Sequence, residues 1–246
     1  MRIYGINPVL EALRAKRVTA VWVSGRAETG RDRLGEIVRL AAAGNVPVRR
    51  VNADDLARVA RADTHQGVAA DAADRVSVSV EDLIASANGP PLLVVLDQIE
   101  DPHNVGAILR TVDAAGAAGV VRQSRHAARL DGAAAKVSAG AFWHVNIAEV
   151  VNIARALEQL KSAGVWTVGF AGDAVKTYDE IDFTLPTAIV LGAEGTGLRR
   201  LVRERCDWLV SIPLSGHVES LNVSVAAGIA LFEAVRQRRA RSDAGT

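Results

Sequence analysis

Three stretches of this chain combine residue types that can hold a polar ligand. Residues 211–224 read Ser-Ile-Pro-Leu-Ser-Gly-His-Val-Glu-Ser-Leu-Asn-Val-Ser. They set an Ile-Pro turn, a glycine and a Ser-x-Asn-x-Ser polar set directly before a long apolar-periodic segment. Polar side chains at a helix entrance suit a ligand held on free backbone N–H groups. The same residues equally suit a capped turn closed by Ser220 or Asn222. Residues 190–198 read Val-Leu-Gly-Ala-Glu-Gly-Thr-Gly-Leu. Gly192, Gly195 and Gly197 let a backbone approach a ligand closely. A dinucleotide fold shows Gly-x-Gly-x-x-Gly after its first strand. Here the spacing is Gly-x-x-Gly-x-Gly, and it comes late, which argues against NAD. Residues 97–111 read Asp-Gln-Ile-Glu-Asp-Pro-His-Asn-Val-Gly-Ala-Ile-Leu-Arg-Thr. Asn104 and Arg110 bracket a helix start nearly two turns apart. They flank one ligand only if the preceding chain folds back. Taken alone, Asn104 reads as an N-cap and Arg110 as a surface residue.

The elements that must position these residues alternate between short β-rich runs and helical periods, an α/β pattern. In the first part, Asn7-Pro8 reads as an N-cap and first-turn proline opening a helix over 9–15. Strands are expected at 21–23, 46–51 and 68–70. Helices are expected at 34–43, stopped by Gly44, and at 54–60, capped by Asn52. A polar junction with a short helix at 80–87 ends at Asn88-Gly89-Pro90-Pro91. The expected organisation is a first domain over 1–75, a linker over 76–91 and a second domain over 92–246. The second domain opens with Leu92–Leu96, a continuous apolar run typical of a buried parallel strand. Similar runs recur at 119–121, 165–170, 188–191 and 209–212, separated by helical segments at 105–115, 152–163 and 223–239. That is a doubly wound parallel sheet, whose ligands sit outside the strand C-terminal ends. A polar tail is expected after Arg239.

The 246 residues are enough for one large or two modest domains. Nearly half are apolar and under a quarter charged, an ordinary globular composition. The opening residues lack the basic and apolar regions of a signal peptide, and no apolar run is long enough to cross a bilayer. The one cysteine, Cys206, allows no intrachain disulfide and argues against a cysteine metal site, so a reducing cytoplasm is expected. No histidine has ligand-like spacing, so no metal is expected. Residues 1–75 carry 13 Lys+Arg against 9 Asp+Glu, and residues 76–246 carry 16 against 19. A basic first part suits an anionic partner, although scatter explains so modest an excess.

In this order, the three segments resemble the signature motifs of the SpoU/TrmH (SPOUT) family of RNA ribose 2′-O-methyltransferases. The resemblance implies a C-terminal α/β-knot catalytic domain that binds S-adenosyl-L-methionine in a deep trefoil knot. Periodicity shows no knot, and true knots are nearly absent from folds in general. It implies three cofactor loops, near Phe170-Ala171, Leu191–Gly197 and Ile212–Leu221. By position, Gly192, Ile212 and Leu221 match cofactor-contacting residues, with Leu214 nearby. Arg110 matches the family's catalytic arginine, Asn104 its motif asparagine and Glu194 a glutamate that organises the site. Ser220 and Asn222 match polar residues near the methyl-transfer position. Arg110 either takes the ribose proton, as the family account has it, or stabilises alkoxide charge while a phosphate or water takes the proton. A homodimer with active sites at the interface is also implied, with Phe142-Trp143 and the C-terminal helix as candidate contacts.

The first part separates branches of the family. Tyr4-Gly5-Ile6-Asn7-Pro8-Val9-Leu10-Glu11-Ala12-Leu13 and Thr64-His65-Gln66-Gly67-Val68 look like the RNA substrate-binding domain of one branch, with a fold similar to ribosomal proteins L-seven-Ae/L-thirty-e. Tyr4, Asn7, His65 and Gln66 are its candidate RNA-binding residues. That branch methylates a guanosine of large-subunit (23S) ribosomal RNA in the loop that pairs with peptidyl-site tRNA. Methylation of tRNA or another ribosomal nucleotide, and a non-catalytic RNA-binding protein, are the alternatives. Trp143 departs from the family, where a polar residue is expected. An α/β oxidoreductase would need the early glycine fingerprint that this chain lacks.

Overall fold

A computed structural model describes residues 1–25, 33–73, 75–128, 130 and 132–244. In chain order the elements are β1 (Arg2–Tyr4), α1 (Ile6–Arg14), β2 (Val18–Ser24), α2 (Arg33–Ala43), β3 (Val48–Val51), α3 (Ala53–Ala60), β4 (Val68–Ala72), α4 (Val80–Ala85), β5 (Leu92–Asp97), α5 (Pro102–Ala114) and β6 (Gly119–Gln123). They continue with α6 (Gly132–Val137), a 3-10 turn (Ala141–Trp143), β7 (Ile147–Val150), α7 (Ile153–Ser162), β8 (Trp166–Phe170), a 3-10 turn (Tyr178–Glu180), β9 (Thr187–Gly192), α8 (Arg200–Arg205), β10 (Trp208–Val210) and α9 (Val223–Ala244). These form two compact units. One is Met1–Val76 with Arg129–His144, and the other is Ser77–Ala128 with Val145–Thr246.

The first unit is built on a four-stranded sheet ordered β1-β4-β2-β3, with β2 and β3 parallel and the other pairs antiparallel. Strand alternation divides its apolar side chains between two faces. Trp22 and Ala69 pack with Leu56 and Ala60 of α3. Ile3, Val21, Val23, Val68 and Ala70 are buried on the opposite side of the pleat. The α1 start differs from the sequence expectation. Gly5 is the N-cap residue, at φ 94°, and Asn7 lies inside the helix. The cap comes from far along the chain, because Gln66 Oε1 accepts the Ile6 N–H at 3.0 Å. Phe142, one of the candidate dimer contacts, is fully buried within the chain and stacks edge-on to Trp143 at 4.9 Å.

The second unit holds a six-stranded, wholly parallel sheet ordered β10-β8-β9-β5-β6-β7. Leu93 and Val95 of β5 and Ala188 and Val190 of β9 pack with Leu83 of α4, Leu157 of α7 and Val202 of α8. The alternate residues Leu92, Val94, Leu96 and Ile189 are also buried, so both faces of the centre are covered. α9 runs along β9 and against α5. The stretch expected as a linker carries structure of its own. Val78 forms a parallel bridge with Ala148, and Ser79 caps α4 in a reciprocal box with Asp82. Sequence reading missed β7, a four-residue strand at the sheet edge. The expected polar tail is also helix, to Ala244. Arg238 donates to the carbonyls of Phe183, Pro90, Pro91 and Leu185, and Arg241 to Thr184 Oγ1. Those contacts give the last turns tertiary partners.

Candidate active site

The parallel sheet sends the ends of β5, β8, β9 and β10 in one direction, and the loops that follow them build the site. The loop after β9 closes on itself. The Ala193 N–H donates to the Gly197 carbonyl at 3.1 Å, and the Gly197 N–H returns to the Ala193 carbonyl at 2.8 Å. Gly195 and Gly197 sit at φ 78° and 67°, where other residues are strained. Gly192 has a different reason to be glycine. A Cβ there would lie 2.2 Å from the Gly197 carbonyl carbon and 2.3 Å from the Leu198 nitrogen. Its bare backbone therefore serves the loop's own closure.

That loop carries Glu194 to the two asparagines of the other segments. Asn104 Nδ2 donates to Glu194 Oε1 at 3.0 Å. Asn222 Nδ2 donates to the same oxygen at 2.9 Å and to Asn104 Oδ1 at 2.9 Å. Three residues separated by as many as 118 positions thus close a hydrogen-bonded triangle. Asn104 is only 6 % exposed, so its amide needs these partners. Asn222 Oδ1 meanwhile accepts the Ser224 N–H at 2.8 Å and so caps α9. The cap and the triangle coexist because the two amide atoms of Asn222 face different partners. The N-cap of α5 is Asp101, which accepts the His103 N–H, so Asn104 lies in the helix's first turn.

A second fastening was not singled out from sequence. Asp97 ends β5 fully buried and takes the Arg199 N–H at 3.0 Å, its Nε at 2.8 Å and its Nη2 at 2.6 Å. The guanidinium meets Oδ1 and the backbone N–H meets Oδ2, and together these charge-assisted bonds tie the β5 end to the exit of the glycine loop. The available signal was a carboxylate closing an otherwise unbroken apolar strand.

Two cavities meet at this triangle. The larger, ≈ 660 Å³, is lined by all three expected cofactor loops. Phe170, Leu191, Val210, Ile212, Leu214 and Leu221 give it apolar walls, Gly192 forms part of the glycine-loop side, and Glu194, Ser220 and Asn222 are polar. Such a mixture suits a drug-sized ligand with an apolar body and a few polar groups. The smaller, ≈ 340 Å³, is lined by Gln98, Ile99, Glu100, Asp101, Asn104 and Thr196, and shares Ala193 and Glu194 with the first. The triangle stands at their common wall.

Arg110 is not brought to this wall. It is exposed in the middle of α5, lines neither cavity, and has no hydrogen bond or ion pair among the described residues. The thiol of Cys206 is pushed up to about 12, first by burial and then by Asp207, so it stays protonated near neutral pH and is no nucleophile there. Among the described residues, no group of three His, Cys, Asp or Glu side chains is placed to hold a metal ion.

The four candidate RNA residues lie in the first unit. Tyr4 sits under the Lys136 ammonium at 5.2 Å, and Lys136 also donates to Thr64 Oγ1 at 2.7 Å. Asn7 Oδ1 accepts from Arg33 at 2.5 Å, and His65 Nδ1 accepts the Gly67 N–H at 3.1 Å. Gln66 caps α1, as described. Asn7, His65 and Gln66 therefore each commit one acceptor within the chain. Their remaining donors and ring faces are what a ligand would meet.

Residues 91–232 match the SpoU rRNA Methylase family, and residues 2–75 match the domain described as RNA 2'-O ribose methyltransferase substrate binding. The chain is 43% identical to the 23S rRNA (guanosine-2'-O-)-methyltransferase RlmB of Pseudomonas putida, over 98% of this chain and 98% of that relative. Its structure is similar to the SpoU methyltransferase AviRb from Streptomyces viridochromogenes in complex with AdoMet. The TM-score is 0.82 at 25% identity, covering 98% of this chain and 91% of that one. It is also similar to an AdoMet-bound rRNA methyltransferase from Sinorhizobium meliloti. There the TM-score is 0.78 at 26% identity, covering 96% of this chain and 86% of that one.

Proposed function

This chain belongs to the SpoU rRNA methylase family, and from that premise we propose that it methylates the ribose 2′-hydroxyl of a guanosine in 23S rRNA with S-adenosyl-L-methionine. The observation that carries this reading is the Asn104–Glu194–Asn222 triangle at the wall shared by two cavities. The larger cavity fits the cofactor, with apolar walls for its adenosine and the folded glycine loop beside it. When bound there, S-adenosylmethionine supplies a sulfonium methyl, already activated for transfer. Gly192, Ile212, Leu214 and Leu221 would hold it. The smaller cavity then receives the acceptor nucleoside across Glu194.

The chain's own residues act mainly by positioning. The two amide donors fix Glu194 through Oε1, which leaves Oε2 to orient a hydroxyl of the acceptor ribose. Asn104 and Asn222 keep that carboxylate from turning away. Ser220 borders the same cavity and adds a hydroxyl near the reacting groups. Arg110 supplies positive charge to the alkoxide as it forms, while a substrate phosphate or water takes the proton. Its distance from the triangle along α5 fits a role in the site of a second protomer. Val225 and Phe232, seven residues apart on α9 and about half exposed, support such a homodimer. The trefoil knot belongs to the same reading, supported by the loops after β8, β9 and β10 converging on one cavity. So do the first unit as the RNA-holding part, through Tyr4, Asn7, His65 and Gln66, and a cytoplasmic location, where ribosomal RNA is handled. No described helix is long and apolar enough to cross a membrane.

The test uses purified protein, radiolabelled S-adenosylmethionine, and protein-free ribosomal RNA and tRNA pools in parallel, with the label mapped by digestion and mass analysis. A 2′-O-methylguanosine in large-subunit RNA is expected. Label confined to tRNA would overturn the substrate and keep the reaction.

A further inference from the structure

The smaller cavity carries a specificity device. We infer that Glu100, assisted by Gln98, selects guanine by accepting both donors of its Watson–Crick edge. The inference rests on the reading that this cavity takes the acceptor nucleoside.

The loop over 98–101 has its backbone fixed from outside. The Gln98 N–H donates to Gln123 Oε1 at 3.1 Å, and the Ile99 carbonyl accepts the Ala128 N–H at 2.9 Å. The Ala128 carbonyl is held in turn by the buried guanidinium of Arg122. Asp101 Oδ1 is committed to the His103 N–H at 2.8 Å as the α5 cap. Gln98 is held at φ 59°, an unusual conformation for a residue with a side chain. The carboxylate of Glu100 and the side-chain amide of Gln98 have no hydrogen bond or ion pair among the described residues, yet both residues line the cavity. A rigid backbone presenting two uncommitted polar side chains is what base readout needs.

The chemistry of those two groups chooses the base. An ionised carboxylate only accepts. It matches an edge with two neighbouring donors. Among the four RNA bases, guanine alone offers that edge, as N1–H beside the 2-amino group. Adenine and cytosine present a ring acceptor beside one amino group, which would set a lone pair against the carboxylate. Uracil presents one N–H between two carbonyls. The Gln98 amide can donate to guanine O6 next to this pair. Unstacked single-stranded bases are read by such edge contacts.

The experiment compares two RNAs, identical except for guanosine or inosine at the acceptor position, with wild-type enzyme and Glu100→Gln. Inosine keeps N1–H and O6 and lacks the 2-amino group. Wild type is expected to prefer guanosine over inosine by ~10-fold to ~100-fold in kcat/KM, the scale of one hydrogen bond to a charged group. In Glu100→Gln the preference is expected to shrink to within about threefold, with S-adenosylmethionine affinity unchanged. If that variant loses turnover, competitive binding of the two RNAs to the cofactor-loaded enzyme reads the same ratio. A variant that keeps the wild-type ratio overturns the role of Glu100 and leaves guanosine methylation standing. Wild-type enzyme that forms no 2′-O-methylguanosine overturns the underlying reaction, and this inference with it.

Discussion

Replacing Gly192 by alanine tests the claim that the glycine loop is shaped by its own closure. The new Cβ would meet three backbone atoms, the carbon and oxygen of Gly197 and the nitrogen of Leu198, at 2.2–2.3 Å. None is the end of a flexible side chain, so the loop must open or carry the overlap. Opening breaks the paired hydrogen bonds between Ala193 and Gly197, each worth about 0.5–1.5 kcal/mol net. Staying closed instead keeps those bonds and carries the overlap, an overpacking cost of about 1–3 kcal/mol or more. The two costs are alternatives, so the loop of Gly192→Ala is destabilised by ~1–3 kcal/mol either way. Binding that requires the closed loop weakens by ~5-fold or more, since 1.4 kcal/mol is a factor of ten. Calorimetric titration with S-adenosylmethionine measures this, and circular dichroism checks that the sheet survives. Gly195→Ala is the control. Its Cβ would meet nothing within 4 Å, so it suffers only the backbone cost of φ 78° and should lose less affinity. A Gly192→Ala protein that binds the cofactor within threefold of wild type would refute the reasoning.

Other outcomes follow from the same structure. Arg110→Ala should abolish methyl transfer and leave cofactor affinity intact, because Arg110 lines neither cavity; equal loss of both in paired kinetic and binding assays would contradict this. Arg238→Ala removes a donor set shared by four carbonyls and should lower stability by ~2–3 kcal/mol, seen as a shifted urea midpoint; an unchanged midpoint would deny the α9 end a tertiary role. Cys206 should resist alkylation near pH 8 until the protein unfolds. Its raised folded pKa means the unfolded state loses the proton first. Stability therefore falls as pH rises from about 9 towards about 12, and Cys206→Ala should flatten that part of a melting-temperature profile.

Much was legible in the chain because local physics writes locally. Continuous apolar runs marked β5 and β9, since strands covered on both faces need no polar alternation. Asn52 announced the start of α3, and it does accept the Asp55 N–H at 2.7 Å. The order and wording of three motif segments pointed to the family and to the loops that line the larger cavity. Edge elements were harder. β7 is short and carries Glu149, so its pattern is too weak to read, and its pairing with β6 makes it a strand.

What sequence could not decide is who meets whom. The placement of β9 between β5 and β8 brings Glu194 beside Asn104, 90 positions away, and no periodicity encodes that distance. The same tertiary arrangement keeps Arg110 off both cavities of its own chain, although it is near Asn104 in sequence. It also places Gln66 on the start of α1, where Asn7 was the local candidate. Local signals report the shape one segment prefers, a period, a cap or a turn. Contacts between distant segments depend on strand order and on which buried donors still need acceptors, and those are settled only when the whole sheet has formed.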